Sequence, residues 1–370
     1  MMKVMLDQMI LTTCCPTNAG SKMLENFTAP FAATVVEKLA AGGFAIGDEN
    51  GCKALVGEFA IDLVGETCFA GAADTAEALK NDTVSALISF DVNGAPRRVA
   101  AQQGLVFVKP TYGIVSRYGT VPVACSGECV GVMAKTVAEC RVVLSDMVGK
   151  DERDGTMHAE EVCKSALDSA PVKKVAALKM DGAESAEMAA AKQIMVANGI
   201  EITKIDAGVI ACANAAWNML MCAELCNNVS RYDGVKYGYR TKNYKNLDEL
   251  YTNSRTEAFG LLLKTAILYG SDVLSTKNYM AKYDKAMRVR RVVSEAFAAI
   301  FAEFDAVLLP AVSKMAYTDK DSAFVENKYT APAHMAGLPA VVAAGVQVMG
   351  PAFSDGALLS LAALLAKEGK

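Results

Sequence analysis

Residues 104–140, GLVFVKPTYGIVSRYGTVPVACSGECVGVMAKTVAEC, decide how the rest of the chain is read. Residues 104–108 are apolar and partly β-branched, the pattern of a short buried strand. Lys109-Pro110 closes that strand, and Tyr112-Gly113 and Tyr118-Gly119 are turn signals. An apolar run dotted with glycine then leads into a helix that opens at Lys135-Thr136. A strand end followed by such loops is where an α/β enzyme places a site.

Composition narrows the classes. Of 370 residues, 52% are hydrophobic, enough for a large core, and the formal net charge is −4. That balance argues against a broad basic face for nucleic acid. The 11 cysteines show no zinc-type spacing and are read as reduced thiols. With two histidines, His158 and His334, no metal site is expected, and no cofactor. No apolar run reads as membrane-spanning, and the start lacks a signal-peptide pattern. The expected setting is cytoplasmic, with no membrane partner.

Outward from the opening stretch, residues 1–10 read as a strand and 34–41 as a helix stopped at Gly42-Gly43. Residues 48–75 are irregular, 86–90 are a strand, and Asp91-Val92-Asn93-Gly94 is a turn. Residues 172–179, 185–197 and 200–205 read as strand, helix and strand, a parallel βαβ unit. Helices follow over about 209–229, 247–269 and 276–303, then a strand at 306–309. Residues 340–349 mix strand signals with glycine, and 354–367 close the chain as a helix. With no linker or repeat, residues 1–370 read as one α/β domain with helices on both faces of its sheet.

Several longer words carry a resemblance. KPTYGIVSRYG (109–119), SKMLENF (21–27), TVVEKL (34–39), RYDGVKYGYR (231–240), DVLS (272–275) and AGLPA (336–340) occur in order. They resemble the amidase signature family, and within it the A subunits of glutamine-dependent aspartyl/glutamyl-tRNA amidotransferases. The resemblance implies a mixed central β-sheet covered by helices on both faces, here truncated at the N-terminus and shortened between Ala340 and Gly345, where a strand pair would be expected. It implies glutamine hydrolysis that feeds ammonia to a B subunit as partner, with a small C subunit bracing the pair, and tRNA met only through a partner.

The family chemistry is a Ser-Ser-Lys relay. A serine attacks the amide, a second serine passes its proton, and a neutral lysine takes it. Placed by register, the nucleophile falls on Ala95, the bridging serine on Gly71 and the lysine on Asp7. None of the three can play its part. Asp91, Asn93, Gly94 and Arg97 are the remnant of the oxyanion turn, with Asp91 and Arg97 expected to form a salt bridge that props it. Basic residues expected to grip the substrate carboxylate fall on Thr265 and Ala266, and the acidic residue expected to meet its ammonium falls on Asn327.

The resulting expectation is a catalytically degenerate relative that serves as an assembly or regulatory partner of the B and C subunits. The alternative is a working glutamine amidotransferase with another nucleophile, Ser126 or Cys125 in ACSGEC, which would need a base. A third reading is a decaying gene product, which predicts a poorly folded chain. Cys68, Cys14-Cys15 and His334 read as structural rather than reactive.

Overall fold

A computed structural model describes residues 1–47, 76–180, 184–312 and 323–367, framed by one mixed ten-stranded sheet in the order β2-β1-β3-β5-β4-β9-β10-β8-β6-β7. The strands are β1 (Lys3–Leu6), β2 (Ala45–Ile46), β3 (Ala86–Asp91), β4 (Val106–Lys109), β5 (Cys129–Ala134), β6 (Lys174–Lys179), β7 (Glu201–Asp206), β8 (Ala306–Pro310), β9 (Ala340–Ala343) and β10 (Val346–Met349). β1 pairs in parallel with β2 and β3, and β6 with β7 and β8. The strands between those groups pair antiparallel.

Every residue of β3, β4 and β5 is buried, so these strands read as apolar runs rather than alternating ones. The pleat still sends neighbours to opposite faces. Ile88 and Phe90 join the large core cluster with Cys140, Val143 and Leu144 of helix α3 (Val137–Met147). Leu87, Phe107 and Met133 join a smaller cluster with Val99, Ala100 and Ala101 of helix α2 (Ala95–Gln103). Helices therefore cover both faces here, as expected.

Local chemistry sets the helix starts. Thr136 and Glu139 form a reciprocal capping box for α3. Ser185 caps α4 (Ala186–Ala197), the crossover of the β6-α4-β7 unit. Thr34 is the first residue of α1 (Thr34–Ala41), with Ala33 at the N-cap position, and its hydroxyl hydrogen-bonds the Asp151 carboxylate.

Four of the elements read from the sequence need correction. The Asp91–Gly94 turn leads straight into α2, where no helix was read; Gly94 at φ 74° and Pro96 in the first turn start it. The run before Lys135 is the central strand β5. The stretch read as shortened between Ala340 and Gly345 does hold the strand pair, as β9 and β10, joined by Ala344 (φ 51°) and Gly345 (φ 77°). Two positive φ angles in a two-residue connection are what a right-twisted hairpin needs. The stretch read as a helix over 247–269 breaks at Phe259-Gly260 into Leu247–Ala258 and α6 (Leu261–Leu274).

Residues Gly208–Val229, which include α5 (Ala213–Val229), are long and apolar enough to cross a membrane, contrary to the reading of the sequence. Their apolar window is 56% buried within the fold, and Trp217, Leu220, Met221 and Leu225 lie in the main core cluster. α5 packs against α6 and α7 (Lys285–Phe301), so its apolar surface is that of a core helix. Cys15 is disulfide-bonded, which overturns the reduced-thiol reading at that position. Cys14, Cys125, Cys129, Cys140, Cys163, Cys212, Cys222 and Cys226 are free.

Candidate active site

The C-terminal end of β3 gathers the site. Asp91 is its last residue, and the chain turns through Asn93 and Gly94 into α2. Asp91 Oδ1 accepts the Gly94 N–H at 2.8 Å, and Oδ2 accepts from Arg97 Nε at 2.8 Å. The expected Asp91–Arg97 salt bridge is thus present, with both side chains wholly buried. Burial alone would raise the Asp91 pKa, but the Arg97 guanidinium, with Lys109, outweighs it and holds the carboxyl well below the usual range.

Arg97 reaches two further partners. Nη1 donates to Gln347 Oε1 at 2.7 Å, and Nη2 lies 2.7 Å from His334 Nε2. His334 sits in α8 (Ala331–Ala336) and stacks on Trp217 with ring centroids 5.2 Å apart. Its Nδ1 lies 3.0 Å from the Gly127 carbonyl, which can only accept, so Nδ1 carries the hydrogen. In the neutral ring Nε2 is then an acceptor, which suits Arg97. Burial pushes the His334 pKa down to about 4, so the ring is neutral at pH 7. Trp217 Nε1 closes the circuit by donating to the Val92 carbonyl at 2.9 Å.

Asn327 belongs to the same cluster. Its Nδ2 donates to Asn93 Oδ1 at 2.5 Å and to Asn218 Oδ1 at 2.8 Å, while its Oδ1 accepts from Asn214. The amide is neutral and its groups are taken up by three other asparagines. An amine brought here would meet no carboxylate from this residue.

Ala95 is the first residue of α2, directly after Gly94, and is 1% exposed. Its methyl group packs in the large core cluster. Asp7, just past β1, is fully buried. Its Oδ1 accepts the Met9 N–H at 2.6 Å, and its Oδ2 accepts the Phe90 N–H at 2.6 Å and the Ser89 hydroxyl at 3.4 Å. The carboxylate ties β1 to β3. Gly71 lies outside the described residues, as does Cys68.

The structure therefore brings together Asp7, Asp91, Asn93, Gly94, Ala95, Arg97 and Asn327 around the end of β3. Among the described residues, neither Thr265 nor Ala266 joins this hydrogen-bond network. Thr265 turns its hydroxyl back to the Leu261 carbonyl at 3.0 Å on α6, and Ala266 is packed in the core. Sequence reasoning missed Gln347 and Trp217. The signal was available for Gln347, a lone amide in the apolar strand VQVM.

Beside this network lies a second polar group that touches it through Gly127. Ser126 N donates to Glu224 Oε2 at 3.0 Å, and the Ser126 hydroxyl hydrogen-bonds the same carboxylate. Arg290 Nη1 donates to Ser126 Oγ at 2.8 Å, Nη2 to the Ser126 carbonyl at 2.5 Å, and Nε to the Met335 carbonyl at 2.9 Å. Neither Glu224 nor Arg290 stood out in the sequence. For neighbouring Cys125, burial and the Glu128 carboxylate push the thiol up to about 11, so it is protonated at neutral pH and a weak nucleophile. Among the described residues, no three His, Cys, Asp or Glu side chains form a metal-holding group.

Comparison with known proteins agrees with this architecture. Residues 81–359 match the family model described as Amidase. The A subunit of glutamyl-tRNA(Gln) amidotransferase from Pseudomonas aeruginosa (strain LESB58) is 33% identical over 384 residues, covering 94% of this chain and 79% of that protein. The protein of the same name from Nitrosococcus oceani is 34% identical over 391 residues, covering 95% and 80%. The crystal structure of the A subunit of glutamyl-tRNA(Gln) amidotransferase from Thermotoga maritima superposes with a TM-score of 0.76 at 25% identity, over 99% of this chain and 83% of that one. A crystal structure of an amidase gives a TM-score of 0.76 at 20% identity, a likeness of fold.

Proposed function

Because this chain belongs to the amidase signature family, we propose that it is an A-subunit-like member of that family that does not hydrolyse glutamine by the serine relay. The observation that carries the reading is Ala95. It stands at the start of α2, behind a left-handed Gly94 and beside a fully bonded Asp91–Arg97–His334 network, and it offers a buried methyl group where the register calls for a nucleophile. Asp7 supports the same reading, since its oxygens accept from Met9, Phe90 and Ser89 rather than serving as a free base. The folded network supports a retained structural role, on one domain spanning residues 1–370. That role is non-catalytic assembly with the B and C subunits of the amidotransferase, with tRNA met only through a partner, in the cytoplasm.

The test is ammonia release from glutamine by the purified protein, alone and with the B and C subunits. Release no faster than from an active relative whose nucleophile is replaced by alanine is the expected result. Turnover on the scale of an active relative would overturn the reading. Co-purification with either of those subunits from the native cell tests the assembly role separately.

A second reading is favoured by one contact. The Ser126 hydroxyl bonds the Glu224 carboxylate, which could take its proton. Against it, Arg290 donates to the same oxygen at 2.8 Å, which draws electron density from the atom that would attack. If that reading holds, Ser126→Ala abolishes ammonia release and an electrophilic glutamine analogue labels Ser126.

A further inference from the structure

The three parallel strands β8, β6 and β7 end side by side at Pro310, Lys179 and Asp206. The chain leaves β6 towards β7 on one side, whereas β8 leads on to β9 and β10 on the other. Connections that diverge from adjacent parallel strands leave a crevice beyond their carboxyl ends, the usual ligand position in open α/β sheets.

Two clefts lie at that place. One, of about 410 Å³, runs along residues 177–180 and is closed by Pro310, Tyr329 and the first turn of α4. The other, of about 380 Å³, borders it and shares Lys179 and Met180. Each is of a size that holds a small molecule. Among the described residues, their linings carry Lys179, Lys192, Lys204 and Lys328 against Glu184 and Asp206, four positive groups to two negative. The chain as a whole carries −4, so among the described residues the sign is reversed locally. Glu184 is shared by Lys192 and by Lys204, which lies 3.7 Å from it. Lys179 makes no ion pair among the described residues. Leu178, Met188 and Tyr329 supply an apolar wall.

We propose that this crevice binds a small molecule bearing a phosphate group, with Lys179 and Lys204 as its principal charge partners. Ammonium groups on flexible stems act as point charges that a multiply charged phosphate satisfies together, whereas a monocarboxylate offers a single charge. The apolar wall receives the body that carries the phosphate. The second cleft reaches Asn214, whose amide bonds Asn327 beside the Ala95 region, but the inference uses neither Ala95 nor Asp7 and stands whether or not the serine relay is lost.

The experiment is calorimetric titration of the full chain with inorganic pyrophosphate at low ionic strength. One saturable site is expected, weakened by at least about tenfold in Lys179→Ala/Lys204→Ala. The exposed pair Lys236→Ala/Lys242→Ala, which lines neither cleft, is expected to leave it unchanged. No saturable binding, equal affinity in the cleft variant, or equal weakening by the second pair would each overturn the site; the last would mark diffuse counter-ion binding. Should the double variant melt early, Lys204→Gln, at a side chain 71% exposed, gives the same reading without the packing change.

Discussion

Arg97 Nε donates to Asp91 Oδ2 at 2.8 Å, and neither side chain keeps any solvent exposure. A buried ion pair contributes little net stability when intact, but losing one partner strands the other charge. Asp91 also holds the Gly94 N–H, and Arg97 also reaches Gln347, so the pair fixes both the turn and its distance from β10. Arg97→Met is therefore expected to cost about 3–5 kcal/mol in urea unfolding. A loss below about 1 kcal/mol, the scale of a surface pair, would show that the bridge does not brace the turn.

Two buried groups give opposite pH slopes. Asp355 is pushed up to about 6 by burial, partly offset by bonds from Thr111. Its folded pKa lies above the unfolded one, so the native state binds this proton first and gains relative stability as pH falls from about 6 to about 4. His334 is pushed down to about 4, so the unfolded state binds that proton first and the native state loses stability between about 6.5 and 4. In the parent protein these two slopes largely cancel. Asp355→Asn removes one of them, and unfolding free energy is then expected to fall by about 1 kcal/mol more per pH unit than in the parent between pH 6 and 4.5. Urea midpoints at four pH values measure this. Parallel curves for the two proteins would refute the opposition.

The family and the sheet were legible because the words that carry them sit where backbone geometry constrains the residue. KPTYG follows a buried strand, and Gly113 needs both a positive φ (84°) and room beside the Thr156 carbonyl. The hairpin at 340–349 was not legible, because β9 and β10 are four residues each and their connection uses Ala344 where a turn signal would be Asn or Asp. α2 was hidden by Pro96 and the paired arginines, which make APRRVAAQQ read as polar; both arginines are in fact buried by partners far away in sequence. Thr265 and Ala266 were placed by counting from a turn; on α6 the Thr265 hydroxyl bonds back to the Leu261 carbonyl and Ala266 is packed in the core. Long-range partners such as Gln347 for Arg97, 250 residues apart, have no local signature.

Gly94 is fixed by sterics as well as by dihedral angle. A Cβ there would lie 2.0 Å from Thr330 Oγ1 and 2.1 Å from Thr330 Cβ, at φ +74°. Gly94→Ala combines overpacking with a left-handed alanine and is expected to destabilise by about 3 kcal/mol. Thr330→Ala in the same chain does not rescue it, because the Cβ contact remains. A thermal melt of the single and double variants reads this directly. Full recovery in the double variant would mean that the hydroxyl alone sets the limit.

Restoring the hydroxyl at the register's nucleophile position tests how much of the relay is missing. Ala95→Ser supplies an attacking atom but no base. Asp7 stands where the register calls for a lysine, and its oxygens are engaged by the Met9 and Phe90 N–H groups and by Ser89. Arg97 and His334 cannot substitute: one is a guanidinium committed to Asp91 and Gln347, the other is an imidazole held between Arg97 and Gly127. Members of such a relay act as a unit, and loss of one costs about as much as loss of all, on the order of 10⁶ in kcat. Ammonia release from glutamine by Ala95→Ser is therefore expected to stay within about tenfold of the parent, a small step on that scale. A rise of about a thousandfold or more would show that a functional base already faces residue 95, and the proposal that the relay is lost as a whole would fail.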